Sequence, residues 1–406
     1  MKISTDLLVI GAGPFGLSMA AWAQDAGIKY LCVGTPMEFW RTQMPGGMYL
    51  RSAPSWQLDP PRVYTLERFL SLSDRDPRTP ISRTEYLAYA EWLQRHRGIV
   101  PRDTRVTRLT APATNQGPFE AQLSDGGMVA ARLVVAAIGF GAFAHVPEDL
   151  RACVPPGRGV HTAEFVRFDD VAGRRCLVVG GRQSAFEWAA LMHEAGAASV
   201  EIVHRHTTPA FAVSEWEWVT PLVERMRAEP GWYRQLAESE RREIERRLWS
   251  EGRLKLEPWL GPRVAASTIT PRPGCTVIAC RERSDGAMDV ELSDGHTLVA
   301  DRIVFATGYK VDIERVAFLR PLVHSGALRV RNGFPELDEH FQTSVPGLFI
   351  TSMPATQDFG PFMAFTVSAC VSAAIIGEPI RSALATGPQL PSSNSGMPAG
   401  REFPQH

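Results

Sequence analysis

Residues 11–16, GAGPFG, follow the apolar run LLVI and lead into a stretch rich in alanine, methionine and tryptophan. Glycines spaced as G-x-G-x-x-G between a strand and a helix each have a distinct task. Gly11 permits a tight turn, Gly13 lets backbone N–H groups approach a pyrophosphate, and Gly16 lets the helix pack closely on the strand. The helix start, at Pro14 and Phe15, then faces the negative charge of the ligand. The pattern predicts a dinucleotide site. An acid usually ends the next strand and holds a ribose, but here YLCV runs into Gly34. That leaves Thr35 or backbone for the ribose.

A second turn, GGRQSA at 180–185, follows another apolar strand, CLVV. Gly180 makes the turn, Ala185 takes the packing position, and Gly181, Gln183 and Ser184 complete the loop. Arg182 stands where the middle glycine belongs. Its guanidinium is expected to swing outward and pair with phosphate oxygens, bidentately where geometry permits. The alternative is a turn that has lost its ligand. The following strand ends in His204 and Arg205 rather than an acid, which suits a ligand carrying a 2′-phosphate.

The elements that position these turns repeat. Residues 6–34 and 174–205 each read as strand, glycine turn, helix and returning strand, the signature of a parallel sheet. Two later apolar strands, at 131–141 and 300–310, end in a small residue and a glycine, at Gly139 and at Thr307–Gly308. The predicted fold is α/β, with two Rossmann-like dinucleotide-binding domains, one inserted into the other. Residues 1–150 and 300–385 form the first domain, and 151–299 the second. The second carries a tryptophan-rich helical insert at 213–262, in which Leu236, Ile244 and Leu248 share an apolar helix side. The Pro/Ser/Gly-rich tail 386–406 reads as disordered.

The 406 residues are 44% hydrophobic and 21% charged, with a net charge of −1. This composition is that of a soluble globular protein, with no reason to expect a nucleic-acid or membrane partner. No apolar segment approaches the length of a membrane span, and LLVIGAG is too short for a signal peptide. The six cysteines form no C-x-x-C pair and no metal spacing. They suit a reducing cytosol and argue against a dithiol catalyst or a disulfide scaffold, and no metal site is expected. Homo-oligomerisation is left open.

The order of motifs resembles the class B flavin-dependent monooxygenases, which include flavin-containing monooxygenases, Baeyer–Villiger monooxygenases and amine N-hydroxylases. Five stretches carry the resemblance between the N-terminus and about Gly377. PPGRGVHTAEF (155–165) is similar to the fingerprint F-x-G-x-x-x-H-x-x-x-(Y/W), with Gly157 and His161 in place and Pro155 and Phe165 departing from it. ATGY (306–309) matches the second linker motif. FWRTQMPGGMYLRSAPSWQLDPP (39–61), PISRTEYLAYAEWL (80–93) and VPGLFITSMPATQDFGPFMAFTVSAC (345–370) are similar to family stretches around the flavin.

The resemblance implies FAD at the first turn, with Trp40, Arg41 and Met48 beside its isoalloxazine and Met44, Met48 and Trp56 keeping water out. It implies that Asp358, Gly360, Pro361 and Phe362 close the flavin site, where a helix opening near Pro361 faces the ring's negative edge. NADPH, with NADH as the alternative, would occupy the second turn, and Thr307, Gly308 and Tyr309 would form the second linker. His161 would link the domains and position the nicotinamide. NADPH would reduce FAD, oxygen would add at C4a, and the (hydro)peroxyflavin would hydroxylate or N-oxygenate a small organic substrate touched by Arg51 and Asp59. The lysine and asparagine pattern of the amino-acid N-hydroxylases is missing, so a heterocycle is as suitable a substrate as an amine. Two alternatives are an FAD-dependent NAD(P)H reductase without oxygenation and a non-catalytic nucleotide sensor.

Overall fold

The computed structural model describes residues 2–76, 79–113 and 117–386. The first unit is strand β1 (Lys2–Ile10), helix α1 (Pro14–Asp25) and strand β2 (Tyr30–Val33). Helix α2 (Arg83–Arg97) follows, then strands β3 (Val106–Thr110), β4 (Phe119–Leu123) and β5 (Met128–Ala137). The second unit is β6 (Gly159–His161), β7 (Arg175–Val179), α3 (Gln183–Glu194) and β8 (Ser199–His204). Helices α4 (Val219–Ala228) and α5 (Glu238–Arg253) form the insert. Strands β9 (Ile269–Pro273), β10 (Val277–Glu282), β11 (Met288–Leu292), β12 (Thr297–Ala300) and β13 (Arg302–Phe305) come next. The chain returns as β14 (Leu348–Thr351) and continues into helix α6 (Ala369–Thr386).

The first sheet runs β2-β1-β5-β4-β3, with β14 alongside the C-terminal half of β5. The second is all parallel, in the order β9-β8-β7-β13-β6. Leu7, Leu8 and Val9 of β1 and Leu177 and Val178 of β7 are buried, as continuous apolar runs in parallel strands covered on both faces should be. The fold is therefore a mixed α/β architecture with two Rossmann-type sheets. Strand β13 corrects the expected return at residue 300: it pairs with β7 and β6 and so belongs to the second sheet. Apart from Thr386, the tail expected to be disordered lies outside the described residues.

The reading that no segment approaches membrane-spanning length also needs correction. Residues 366–386 are long and apolar enough, with a mean hydropathy of 1.3. Their apolar character has a place inside the fold: α6 packs on α1, and a Cβ on Gly377 would lie 2.1 Å from the Trp22 ring. In the insert, Leu248 is buried on α5 with Ile244 partly buried beside it, whereas Leu236 ends the preceding short turn. Trp216, Val223, Met226 and Trp232 join the core of the first domain, so the insert bridges the two sheets.

The loop 44–50 lies on the outer face of α3, where a Cβ on Gly47 would sit 2.8 Å from Leu191 Cδ2. Beneath it Glu187 is buried, with Oε1 lacking a partner. Burial pushes its carboxyl up to about 8, only partly opposed by Arg263, the Tyr49 N–H, Gln183 and Arg51. An unfolded chain ionises this group near pH 4.5, whereas the folded one keeps its proton to about pH 8. Stability contributed here is therefore lost as pH rises between those values. Glu187→Gln should remove that slope, gaining on the order of 2–4 kcal/mol over the parent at pH 8 but little at pH 4. Denaturant titrations at both pH values check this; an equal difference at both would disprove it.

Candidate functional site

The first cleft opens where β1 and β5 end. Gly11 has φ +106°, and a Cβ there would lie 2.3 Å from the Ala137 carbonyl oxygen of β5. A Cβ on Gly16 would lie 1.8 Å from the Gly11 carbonyl oxygen. Both glycines are required by the protein itself. Gly13 is different: it has an ordinary φ of −83°, and nothing stands within 4 Å of its Cβ position. It is the N-cap of α1, with no side chain capping the helix and Pro14 beginning the first turn. The first N–H groups of α1 thus face open space that a methyl would enter, which is the cradle a pyrophosphate needs.

The cleft is open to solvent. Gly11, Gly13, Pro14, Phe15, Thr35, Trp40 and Gly139, all singled out in the sequence, line it together, and Gly16 packs beneath. Gln43 also lines it, and its buried Oε1 has no hydrogen-bond partner. An unpaired buried acceptor beside an open cradle fits a ligand with polar ring edges.

Other expected members lie elsewhere. Arg41 turns outward, with Nε donating to the Pro36 carbonyl and Nη2 paired with Glu91 at 2.5 Å. Met48 is buried in the core of the second domain with Phe165, Trp188 and Leu191, because its loop rests on α3. Arg51, expected at the substrate, is engaged within the protein. Its guanidinium holds Glu257 at 2.8 Å, Ser214 Oγ at 2.6 Å and the Gly252 carbonyl at 2.7 Å, tying this loop to the insert. Asp59 is fully buried and pairs with Arg97 at 2.5 Å.

Asp358 neither faces the cleft nor caps a helix: it accepts from Leu337 N and Arg331, each at 3.1 Å, with Arg234 at 3.8 Å. Phe362 is buried against Trp232 and Tyr233. The helix expected to open near Pro361 is instead a single 3₁₀ turn from Pro361 to Ala364, introduced by Gly360 at φ +95°, and α6 begins only at Ala369.

The second turn copies the first. Gly180 has φ +148°, and its Cβ would lie 2.4 Å from the Ala306 carbonyl oxygen beyond β13. A Cβ on Gly181 would lie 2.5 Å from His204 Cβ and 2.6 Å from its ring. Arg182 takes the N-cap of α3 in extended conformation. Its Nη1 donates to the Arg253 carbonyl at 2.9 Å, and its guanidinium lies 5.0 Å from the Trp249 ring centroid. Among the described residues no carboxylate pairs with it, and burial lowers its proton affinity. Gln183 accepts from Glu257 N at 3.0 Å, while Ser184 and Arg205 are exposed.

His161 joins the linkers but has no nitrogen free for catalysis. Nδ1 accepts from Ala163 N at 3.1 Å, so Nε2 carries the proton and donates to the Gly308 carbonyl at 3.0 Å. Burial holds it below the ordinary histidine value, hence neutral at pH 7. Thr307 donates to the His145 carbonyl at 2.5 Å, and Tyr309 rests its ring on Phe39, Phe140 and His161. These three residues brace the crossing between the sheets.

Residues 8–245 match the family described as pyridine nucleotide-disulphide oxidoreductase. The chain belongs to that family. It is similar to an indole-3-pyruvate monooxygenase of Oryza sativa subsp. japonica, 28% identical over 44% of this chain and 43% of the relative. It is also similar to a ferredoxin–NADP reductase of Nocardioides sp., 30% identical over 50% of this chain and 55% of that protein. The chain thus spans about half the length of these relatives. Its fold is shared with an ornithine N-hydroxylase of Kutzneria sp. 744, solved with reduced FAD, NADP⁺ and L-ornithine. That match has a TM-score of 0.73 at 15% identity and covers 93% of this chain and 99% of the other.

Sequence reasoning missed several residues of this family member's first cleft. Glu38, Phe39, Ser352 and Thr366 line it. Beside the strand end that lacks an acid, Thr35 Oγ1 donates to Asp103 at 2.5 Å, and Glu38 pairs with Arg105. Asp103 reaches this place because Arg102 bonds back to Cys32 and Gly34. Ser352 takes φ +71° at the end of β14, the strained position where a glycine is the usual occupant. Only that strand end carried a signal, since apolar GLFIT demands a turn after Thr351.

Proposed function

We propose that this protein is an FAD-dependent monooxygenase that uses NADPH and O₂ to hydroxylate or N-oxygenate a small organic substrate. The observation that carries the reading is the repeated glycine turn, one at the end of a parallel strand in each sheet, with the first opening into a cradle at Gly13 that a Cβ would enter. Family membership and the fold shared with an FAD- and NADP⁺-bound N-hydroxylase support it. When bound, the flavin supplies hydride acceptance and oxygen activation. The chain's own contribution is placement. Gly11, Gly13 and Gly16 bring backbone to the pyrophosphate, and Asp103 with Thr35 offers acceptors for a ribose. Trp40, Phe39 and Phe140 shape the cleft, while Trp56, Trp216 and the half-buried Phe365 pack together away from it.

At the second turn Arg182 and Arg205 are the phosphate partners, with Gly181, Gln183 and Ser184 framing the helix start. Domain limits of 1–150 with about 310–385, and 151–309 for the inserted domain, accompany this reading, as does a reducing cytosol for the free thiols.

A second reading, NADPH-dependent flavin reduction without oxygenation, is favoured by the kinship to a ferredoxin–NADP reductase. The visible spectrum of the purified protein separates the two. It should be yellow, bleach on anaerobic NADPH, and on admission of oxygen pass through a long-lived species before the oxidised spectrum returns. Immediate reoxidation in the presence of each candidate substrate, with no oxygen atom gained in any product mass, would leave the reductase. A colourless protein that takes up no flavin refutes both.

A further inference from the structure

Ser352 is a serine where the backbone calls for a glycine. It follows β14 directly, with φ +71° and ψ −150°, a region that essentially only glycine enters without strain. Met37, the other non-glycine residue of the first cleft with a positive φ, sits at ψ 32° in the milder left-handed helical region. The flanking backbone holds Ser352 in place. Thr351 pairs with Ala137 of β5, and the Ser352 carbonyl accepts from Ala355 N at 2.9 Å, closing a 3₁₀ turn over Met353–Ala355. A glycine would satisfy both contacts without strain. Ser352 is only 2% exposed, yet its hydroxyl makes no hydrogen bond among the described residues.

The residue lines the first cleft, and the topology says which part of it. At their C-terminal ends the strands stand in the order β2-β1-β5-β14. The glycine turn follows β1, and Thr35 with Asp103 stands beyond β2. A dinucleotide with its pyrophosphate on the turn and its ribose beyond β2 extends its other half across β5 and β14. Other polar groups of the cleft also lack partners. Gln43 Oε1 has none, and Thr366 Oγ1 is buried beside the Tyr86 phenol with neither hydroxyl in a hydrogen bond of proper geometry. We infer that Ser352 is a binding contact for the flavin half of FAD: its hydroxyl hydrogen-bonds that half, and the strained backbone is kept because a glycine has no hydroxyl to offer. This rests on the reading of the first cleft as the FAD site.

The test is FAD binding to the flavin-free protein, followed by quenching of flavin fluorescence, with ADP as a competitor that carries the adenine half alone. Ser352→Ala keeps the strain and loses the hydroxyl. It should bind FAD about fivefold more weakly, the value of one neutral hydrogen bond, bind ADP as the parent does, and melt with the flavin-free parent. Ser352→Gly loses the hydroxyl and the strain together. It should show the same loss of FAD affinity while the flavin-free protein melts about 3 °C higher. A parent protein that binds FAD while both variants bind it as tightly overturns this inference alone, and so does an ADP affinity that falls in step with that for FAD. A Ser352→Gly protein that melts no higher than the parent overturns the strain on which the inference is built. A parent protein that binds no FAD overturns the reading of the first cleft and this inference together.

Discussion

Gly13→Ala will melt where the flavin-free parent melts, and it will be purified without flavin. The two halves of this expectation come from one geometric fact: no protein atom lies within 4 Å of the Cβ position, and φ is −83°. A methyl here costs the fold less than about 1 kcal/mol, the difference between alanine and glycine at an N-cap. It projects, however, into the space where backbone must come within hydrogen-bonding distance of a pyrophosphate. A loss of flavin affinity of at least tenfold is expected, read as the ratio of flavin to protein absorbance. Gly16→Ala is the contrasting variant. Its Cβ would be 1.8 Å from the Gly11 carbonyl oxygen, so strand and helix must separate and the protein itself should be several kcal/mol less stable. If Gly13→Ala kept stoichiometric flavin, the first cleft would not be the flavin site.

Asp59→Ala should cost about 3–5 kcal/mol of stability, because it strands a buried cation. Asp59 is 0% exposed and receives the Val63 N–H at 2.9 Å, the Tyr64 N–H at 2.8 Å and Arg97 at 2.5 Å. Arg97 also holds Asp25 at 2.7 Å, but that partner is at the surface and cannot replace a fully buried carboxylate. Denaturant midpoints will show the loss. A variant with an unchanged midpoint and a raised KM for substrate would restore Asp59 to the role its place in the sequence suggested.

Asp59 illustrates why charged residues in a family-like loop mislead. In the sequence, Arg41, Arg51, Asp59 and Asp358 are polar groups inside stretches similar to flavin-flanking segments. Nothing in the chain order reveals that Arg97, thirty-eight residues away, closes on Asp59, or that Ser214 and Glu257 close on Arg51. Such pairings are made by elements meeting in three dimensions, and they consume the charge that substrate contact would need.

The glycine turns were legible because their constraint is local. The positive φ at Gly11 and Gly180 and the contact of Gly16 with the Gly11 carbonyl follow from the backbone of one short unit, so G-x-G-x-x-G and its altered copy at 180–185 could be placed without a structure. The alternation of apolar strands and helices likewise pointed to the parallel strands of both sheets, since strands covered on both faces admit few other residues, but not to the antiparallel pairing of β3, β4 and β5 in the first. The tertiary structure decided everything that depends on distant segments meeting: β13 joining the second sheet, Asp103 meeting Thr35, Met48 entering the other domain's core, and Arg182 resting on Trp249 of the insert. Those contacts are set by packing between surfaces whose register no periodicity records.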